Sequence, residues 1–164
     1  MEPTAEQTIG QSVSGRQPIS LVIPRRAEYV GLCRLVAGVV GARESLDEEL
    51  IADLKLVVTE ACACFVWRPE ESPAGGEGSA ASDAAGSLRV EFNVTPESWE
   101  ITVCDPDGWY RVPRPGRCDP MSEGGLGLTI IKALVDSVEQ TDSEAGGTVL
   151  RLVKRLPPRS IPGV

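Results

Sequence analysis

The chain has no histidine among its 164 residues. That removes the commonest general base and the commonest metal ligand, so proton transfer and metal binding must fall to other groups. Positive charge is also short. Sixteen Lys and Arg face 24 Asp and Glu, a net charge of -8. An acidic chain lacks the electrostatic footprint for DNA or RNA and suits a protein partner with a basic surface. No apolar run approaches the roughly 18 residues of a membrane-spanning helix. The first residues, MEPTAEQTIGQSVSGRQ, have neither a basic start nor an apolar stretch, so no signal peptide is expected and a cytoplasmic location is the default. There is no CxxC pair. The five cysteines (Cys33, Cys62, Cys64, Cys104 and Cys118) are odd in number, and two of them stand two apart in a helical pattern, pointing in different directions. Reduced, mostly buried thiols are expected, with no metal site.

What is present describes one globular domain. Hydrophobic residues make up 41% of the chain, enough for a core at this length. Residues 1–17 read as a loose polar tail, 18–156 as the domain and 157–164 as a fraying tail behind two prolines. ISLVIP (19–24) reads as a strand. The segment after it spaces Val30, Leu32, Leu35, Val36 and Val39 as a helix. SLDEELIADLKLVVTEACACFVWR is the strongest helix. Its expected N-cap is Ser45, with Glu48 completing a capping box, and Leu50, Leu54, Val57, Ala61 and Phe65 form the buried stripe. Residues 71–87 are a small-residue linker. LRVEFNVT and WEITVCD alternate as a hairpin pair. Residues 106–123 form a long Pro-, Gly- and Arg-rich segment of the kind that serves as a lid. A helix over about 125–136 and two closing strands, SVEQT and TVLRLVKRL, complete the order β-α-α-β-β-α-β-β. Helices grouped beside a mainly antiparallel sheet make this an α+β fold.

Three features carry chemistry. The first is SEGGLGLTIIKALVD, in which glycines run into a helix start. Unpaired N–H groups beside the positive helix end form a phosphate site, although a plain glycine loop closing on a helix reads the same way. The second is Glu60, at the edge of the apolar stripe. It is either a carboxylate that polarises a hydroxyl or water, or a glutamate that reaches solvent. The third is Asp105, after an apolar strand at the mouth of the long loop. It is either an acceptor for the exocyclic amine of adenine or a turn aspartate of DPDG.

Together LKLVVTEACACF, ITVCDPDG, EGGLGLTIIKALVDSVEQ and GGTVLRLVKRL resemble the anti-sigma-factor serine kinases. These belong to the ATPase superfamily shared by gyrase, histidine kinases and mismatch-repair proteins. The resemblance spans roughly residues 18–156. It implies a Bergerat-type ATP-binding fold, with a mixed, mainly antiparallel sheet covered on one face by about three helices. It implies binding of ATP or ADP, a homodimer, an alternative sigma factor as partner, and an anti-anti-sigma factor as the protein phosphorylated on serine or threonine. It assigns Glu60 as the catalytic base and Asp105 as the reader of adenine. Gly125 and Gly127, with Gly124 and Leu126 beside them, match the phosphate-facing glycine box. Gly108 stands near the first glycine box, and Thr148 lies in the strand lining the adenine pocket. No direct contact with nucleic acid or membrane is implied.

The match departs from the family at defined places. Four residues after the glutamate the family has an asparagine that ligates Mg²⁺. Here it is Cys64, and a thiol is a poor ligand for a hard cation. Arg68 stands where a histidine is common. Asp107 and Trp109 replace the expected glycines after Asp105, with Gly108 between them. The sequence therefore supports an anti-sigma factor with weak or lost phosphotransfer. Its alternatives are an active ATP-dependent serine/threonine kinase and a ligand-free structural homodimer.

Overall fold

The computed structural model describes residues 17–66, 86–106, 123–144 and 146–158. The tail before residue 17, most of the 71–87 linker, the lid loop with Gly108, and Arg68, Asp107, Trp109 and Cys118 lie outside the described residues.

Five strands and three helices follow the expected order. They are β1 (Ile19–Pro24), α1 (Val30–Arg43), α2 (Glu48–Val66), β2 (Ser87–Val94), β3 (Ser98–Cys104), α3 (Glu123–Leu134), β4 (Ser137–Asp142) and β5 (Thr148–Arg155), with a 3₁₀ turn at Ala27–Tyr29 leading into α1. The strands form one sheet in the order β1-β2-β3-β5-β4. All four pairings are antiparallel, so no parallel pair makes the sheet mixed among the described residues. The architecture is α+β, as the element order required.

Period-two burial shows which face the helices cover. Leu88, Val90, Phe92 and Val94 of β2, Trp99, Ile101 and Val103 of β3, and Leu150 and Leu152 of β5 are buried in one core with α2 and Ile131 of α3. Each such aliphatic side chain contributes roughly 1.5–3 kcal/mol by leaving water. Phe92 and Trp99 meet edge to face, with ring centroids 6.0 Å apart. On the opposite face Arg151 of β5 donates to Glu100 at 2.8 and 2.9 Å and to Glu139 at 3.3 Å, across three neighbouring strands. The Glu100 hydrogen bond first, and then its charge, push the Arg151 pKa upward.

The α2 stripe is buried as its spacing predicts, with Val58 and Cys62 added. Its start differs. Ser45 has φ 55° and lies in the turn between the helices, and the cap is Asp47, whose Oδ1 accepts the Leu50 N–H at 2.7 Å. Ser45 and Glu48 therefore form no capping box. The α1 stripe differs more. Leu32, Leu35 and Val39 are 47, 64 and 62% exposed, and the core side is Cys33, Ala37, Val40 and Gly41. A helix that is apolar all round gives periodicity nothing to choose by. The choice falls to size, because α2 comes close. A Cβ on Gly41 would stand 2.8 Å from Ile51 Cγ1. Cys33 of α1 and Cys62 of α2 are both fully buried, and each thiol perturbs the other's pKa. The Cys33 thiol first, and then burial, hold Cys62 well above the usual thiol pKa.

Candidate functional site

The helix α2 lies between α1 and α3 and also touches β3. It presents Glu60 at the edge of its buried stripe, half-covered. What covers it is α3. A Cβ built on Gly127 would lie 2.7 Å from Glu60 Oε2 and 3.8 Å from its Cβ and Cδ. The carboxylate thus fills the space that a side chain at 127 would take.

This changes the reading of the glycine box. The sequence places its glycines in a loop ahead of a helix that starts near 125. Instead α3 starts at Glu123, and the glycines form its first turns. Gly124 and Gly125 lie in the first turn, where backbone N–H groups have no intrahelical acceptor and face outward along the axis. Gly127 lies one turn in, where an α-helical N–H is already bonded to the carbonyl four residues back. Its missing side chain makes room for Glu60. Leu126 beside it points outward and is 59% exposed.

Cys64 is one helical turn beyond Glu60 and half-buried. Burial first, then the Glu60 charge, push its thiol up to about 11. At neutral pH it is a protonated thiol and no ligand for a hard cation. The residues present therefore do not fit Mg²⁺ at the position where the family resemblance puts it.

Asp105 directly follows β3 and Thr148 opens β5. They stand one step beyond the last registered pair, Cys104 with Val149, and both are 1% exposed. The tight turn before Thr148 is closed by Gly146 N–H to Ser143 O at 2.8 Å and Ser143 N–H to Gly147 O at 2.7 Å. Gly146 has φ 90°, which a residue with a side chain rarely adopts. The turn glycines before Thr148 thus set where β5 begins.

One neighbour escaped the sequence reading. Arg25, immediately after β1, reaches across the end of β2, and its Nη1 lies 3.7 Å from Asp105 Oδ2. The pair is closed from solvent, with side chains 7 and 0% exposed. The backbone of Arg25 is pinned by its N–H to Gly86 O at 2.8 Å. Two arginines after Pro24 are the only signal in the sequence, and they do not say that one turns inward across 80 residues of chain.

The candidate residues thus fall into two groups. Glu60, Gly127 and Cys64 gather where α2 meets α3, and Asp105 and Thr148 share the end of the central strands with Arg25. A helical layer thus lies over an antiparallel sheet, with a glutamate on the middle helix and an aspartate at the end of a central strand. Residues 23–154 match the histidine kinase-like ATPase domain. The chain belongs to that family. Within it, the chain is 33% identical over 141 residues to a serine-protein kinase RsbW of Bacillus pumilus (strain SAFR-032), which covers 80% of this chain and 82% of the relative. It is 28% identical over 141 residues to the serine-protein kinase RsbW of Bacillus subtilis (strain 168), with 80 and 81% covered. The namesake in Halalkalibacterium halodurans is 29% identical over 150 residues, with 85 and 84% covered. For a member of the histidine kinase-like ATPase family, ATP is the ligand to expect. Among the described residues, no helix is long and apolar enough to cross a membrane.

Proposed function

We propose that this protein is a cytoplasmic anti-sigma regulatory factor. It binds an alternative sigma factor and the anti-anti-sigma factor that opposes it, and it carries an ATP or ADP pocket with weak or lost serine kinase activity. The similarity to serine-protein kinases over four-fifths of the chain supports the regulatory role. Glu60 is the base that receives the serine proton, and Asp105 and Thr148 bound the adenine end. The free N–H groups of the first turn of α3 face the polyphosphate. These groups fit an adenosine polyphosphate in kind, since they pair an acceptor for an exocyclic amine with donors for anionic oxygens.

The observation that carries the reduced kinase activity is Cys64. A metal that holds the phosphate oxygens supplies several kcal/mol of transition-state stabilisation. A half-buried, protonated thiol cannot replace the oxygen ligand, while Glu60 and the backbone donors stay in place. Binding then outlasts phosphotransfer. The test is transfer of labelled phosphate from ATP to a serine of the anti-anti-sigma factor, with Mg²⁺ present. Slow turnover by the natural chain and a gain with Cys64→Asn are expected. Turnover equal to that of an intact family kinase would refute the reading.

A homodimer belongs to the same proposal. Leu32, Leu35 and Val39 form an exposed apolar row along α1, and two copies of one row cover each other about a two-fold axis. Sedimentation velocity showing only monomer at micromolar concentration would remove it.

A further inference from the structure

We propose that Arg25 is a gate on the base end of the nucleotide pocket: its guanidinium is ion-paired beside the Asp105 carboxylate in the free protein and must swing away before adenine can be read. The inference rests on the ATP-pocket reading and adds to it a residue outside every motif that identifies the family.

Three observations carry it. First, the Asp105 side chain is 0% exposed, so its oxygens are closed even to water. An adenine amine is larger than a water and cannot reach them while the surroundings stay as they are. Second, a cation is already there, with Arg25 Nη1 at 3.7 Å from Asp105 Oδ2 and its own side chain only 7% exposed. At that distance the contact is an ion pair and longer than a hydrogen bond, so the guanidinium opposes an incoming exocyclic amine by its charge and bulk beside the carboxylate. Third, the backbone of Arg25 is fixed. Its N–H is bonded to Gly86 O and the next N–H, that of Arg26, to Pro24 O, both at 2.8 Å. Opening therefore needs no movement of β1, only rotation of a long side chain whose anchor stays put.

The energetics set the direction. In the free protein the guanidinium neutralises a buried carboxylate, and such a charge without its partner is costly. Nucleotide binding must break that pair, so part of the intrinsic affinity is spent on opening. The apparent affinity falls by the fraction of molecules with the gate open. Removing the guanidinium has two opposite effects. The free protein loses stability, and adenine nucleotides bind more tightly. A residue with a purely structural role gives the first effect and not the second.

The experiment compares the natural protein with Arg25→Ala by titration calorimetry against ATP and against inorganic tripolyphosphate, and by thermal unfolding without ligand. Tripolyphosphate carries the charges of ATP but no base to reach Asp105. We expect Arg25→Ala to melt at a lower temperature alone, to bind ATP at least 10-fold more tightly, and to bind tripolyphosphate as the natural protein does. Should Arg25→Ala fail to fold, Arg25→Gln keeps a donor for the carboxylate without the charge and must shift ATP affinity in the same direction. Equal or weaker ATP binding by the variant, when the natural protein does bind ATP, overturns the gate alone. An equal gain for tripolyphosphate also overturns it, because the effect is then one of general charge. Absence of ATP binding by both proteins overturns the pocket reading and the gate together.

Discussion

The contact between Gly127 and Glu60 allows one substitution to separate stability from chemistry. In Gly127→Ala the new methyl would stand 2.7 Å from Glu60 Oε2, where ordinary contact begins at 3.4 Å. The oxygen must retreat by the difference, about 0.7 Å. It is the far end of a flexible side chain, so it can move by torsion. A carboxylate driven about 30° off its rotamer costs roughly 0.5–1.5 kcal/mol. Replacing glycine by alanine inside a helix returns roughly 0.8–1.0 kcal/mol. The two nearly cancel, and stability should stay within about 1 kcal/mol of the natural protein. The chemistry does not cancel. A catalytic group misplaced by about 1 Å can lose roughly 100-fold in rate. The assay pairs urea unfolding with single-turnover transfer from ATP to the anti-anti-sigma factor, run in the natural and Cys64→Asn backgrounds. The expected result is near-unchanged unfolding with phosphotransfer down by ten-fold or more in Cys64→Asn. Unchanged phosphotransfer in that background would mean that Glu60 is not the base or that Gly127 does not place it. A stability loss above about 3 kcal/mol would mean that the methyl meets something less yielding than a carboxylate.

Two further outcomes follow from single residues. Asp47→Ala removes the acceptor of the Leu50 N–H, and urea unfolding should show a loss of about 1 kcal/mol, whereas Ser45→Ala should show no capping loss. The Cys64 thiol sits above its ordinary value of 9.0, at about 11. A group whose folded pKa is raised contributes stability that is complete below the unfolded value and lost as pH rises through the folded one. Unfolding free energy should therefore fall between pH 9 and 11, and Cys64→Ala should flatten that part of the profile. Cys62, also raised, leaves a residual slope.

The elements most legible in the sequence are those whose side chains alternate between two unlike surroundings. β2, β3 and α2 each place one face in the core and the other in water or at the helix edge, so period two and period 3.6 stand out. α1 is apolar on both faces, and its inward side was decided by how closely Gly41 lets Ile51 approach, a fact about a different helix. The cap of α2 lies two residues beyond Ser45, because Ser45 and Asp47 are both good caps by composition and only the turn geometry chooses between them. At the candidate site, motif order is enough to nominate Glu60, Asp105 and Thr148. The use of Gly127 was not readable, because the spacing of a glycine does not say whether a ligand or a neighbouring side chain fills the gap. Arg25 was the least visible, since its meaning lies wholly in a partner distant along the chain.

The two sulfurs sealed between α1 and α2 make this protein its own clock. Cys33 and Cys62 are each 0% exposed, so a thiol-reactive dye can modify them only in the moments when the two helices part. The speed of that labelling, followed under native conditions, reads how often the first helix lifts from the second. Whatever docks across α1 should slow it, which turns a buried pair into a reporter of partner arrival.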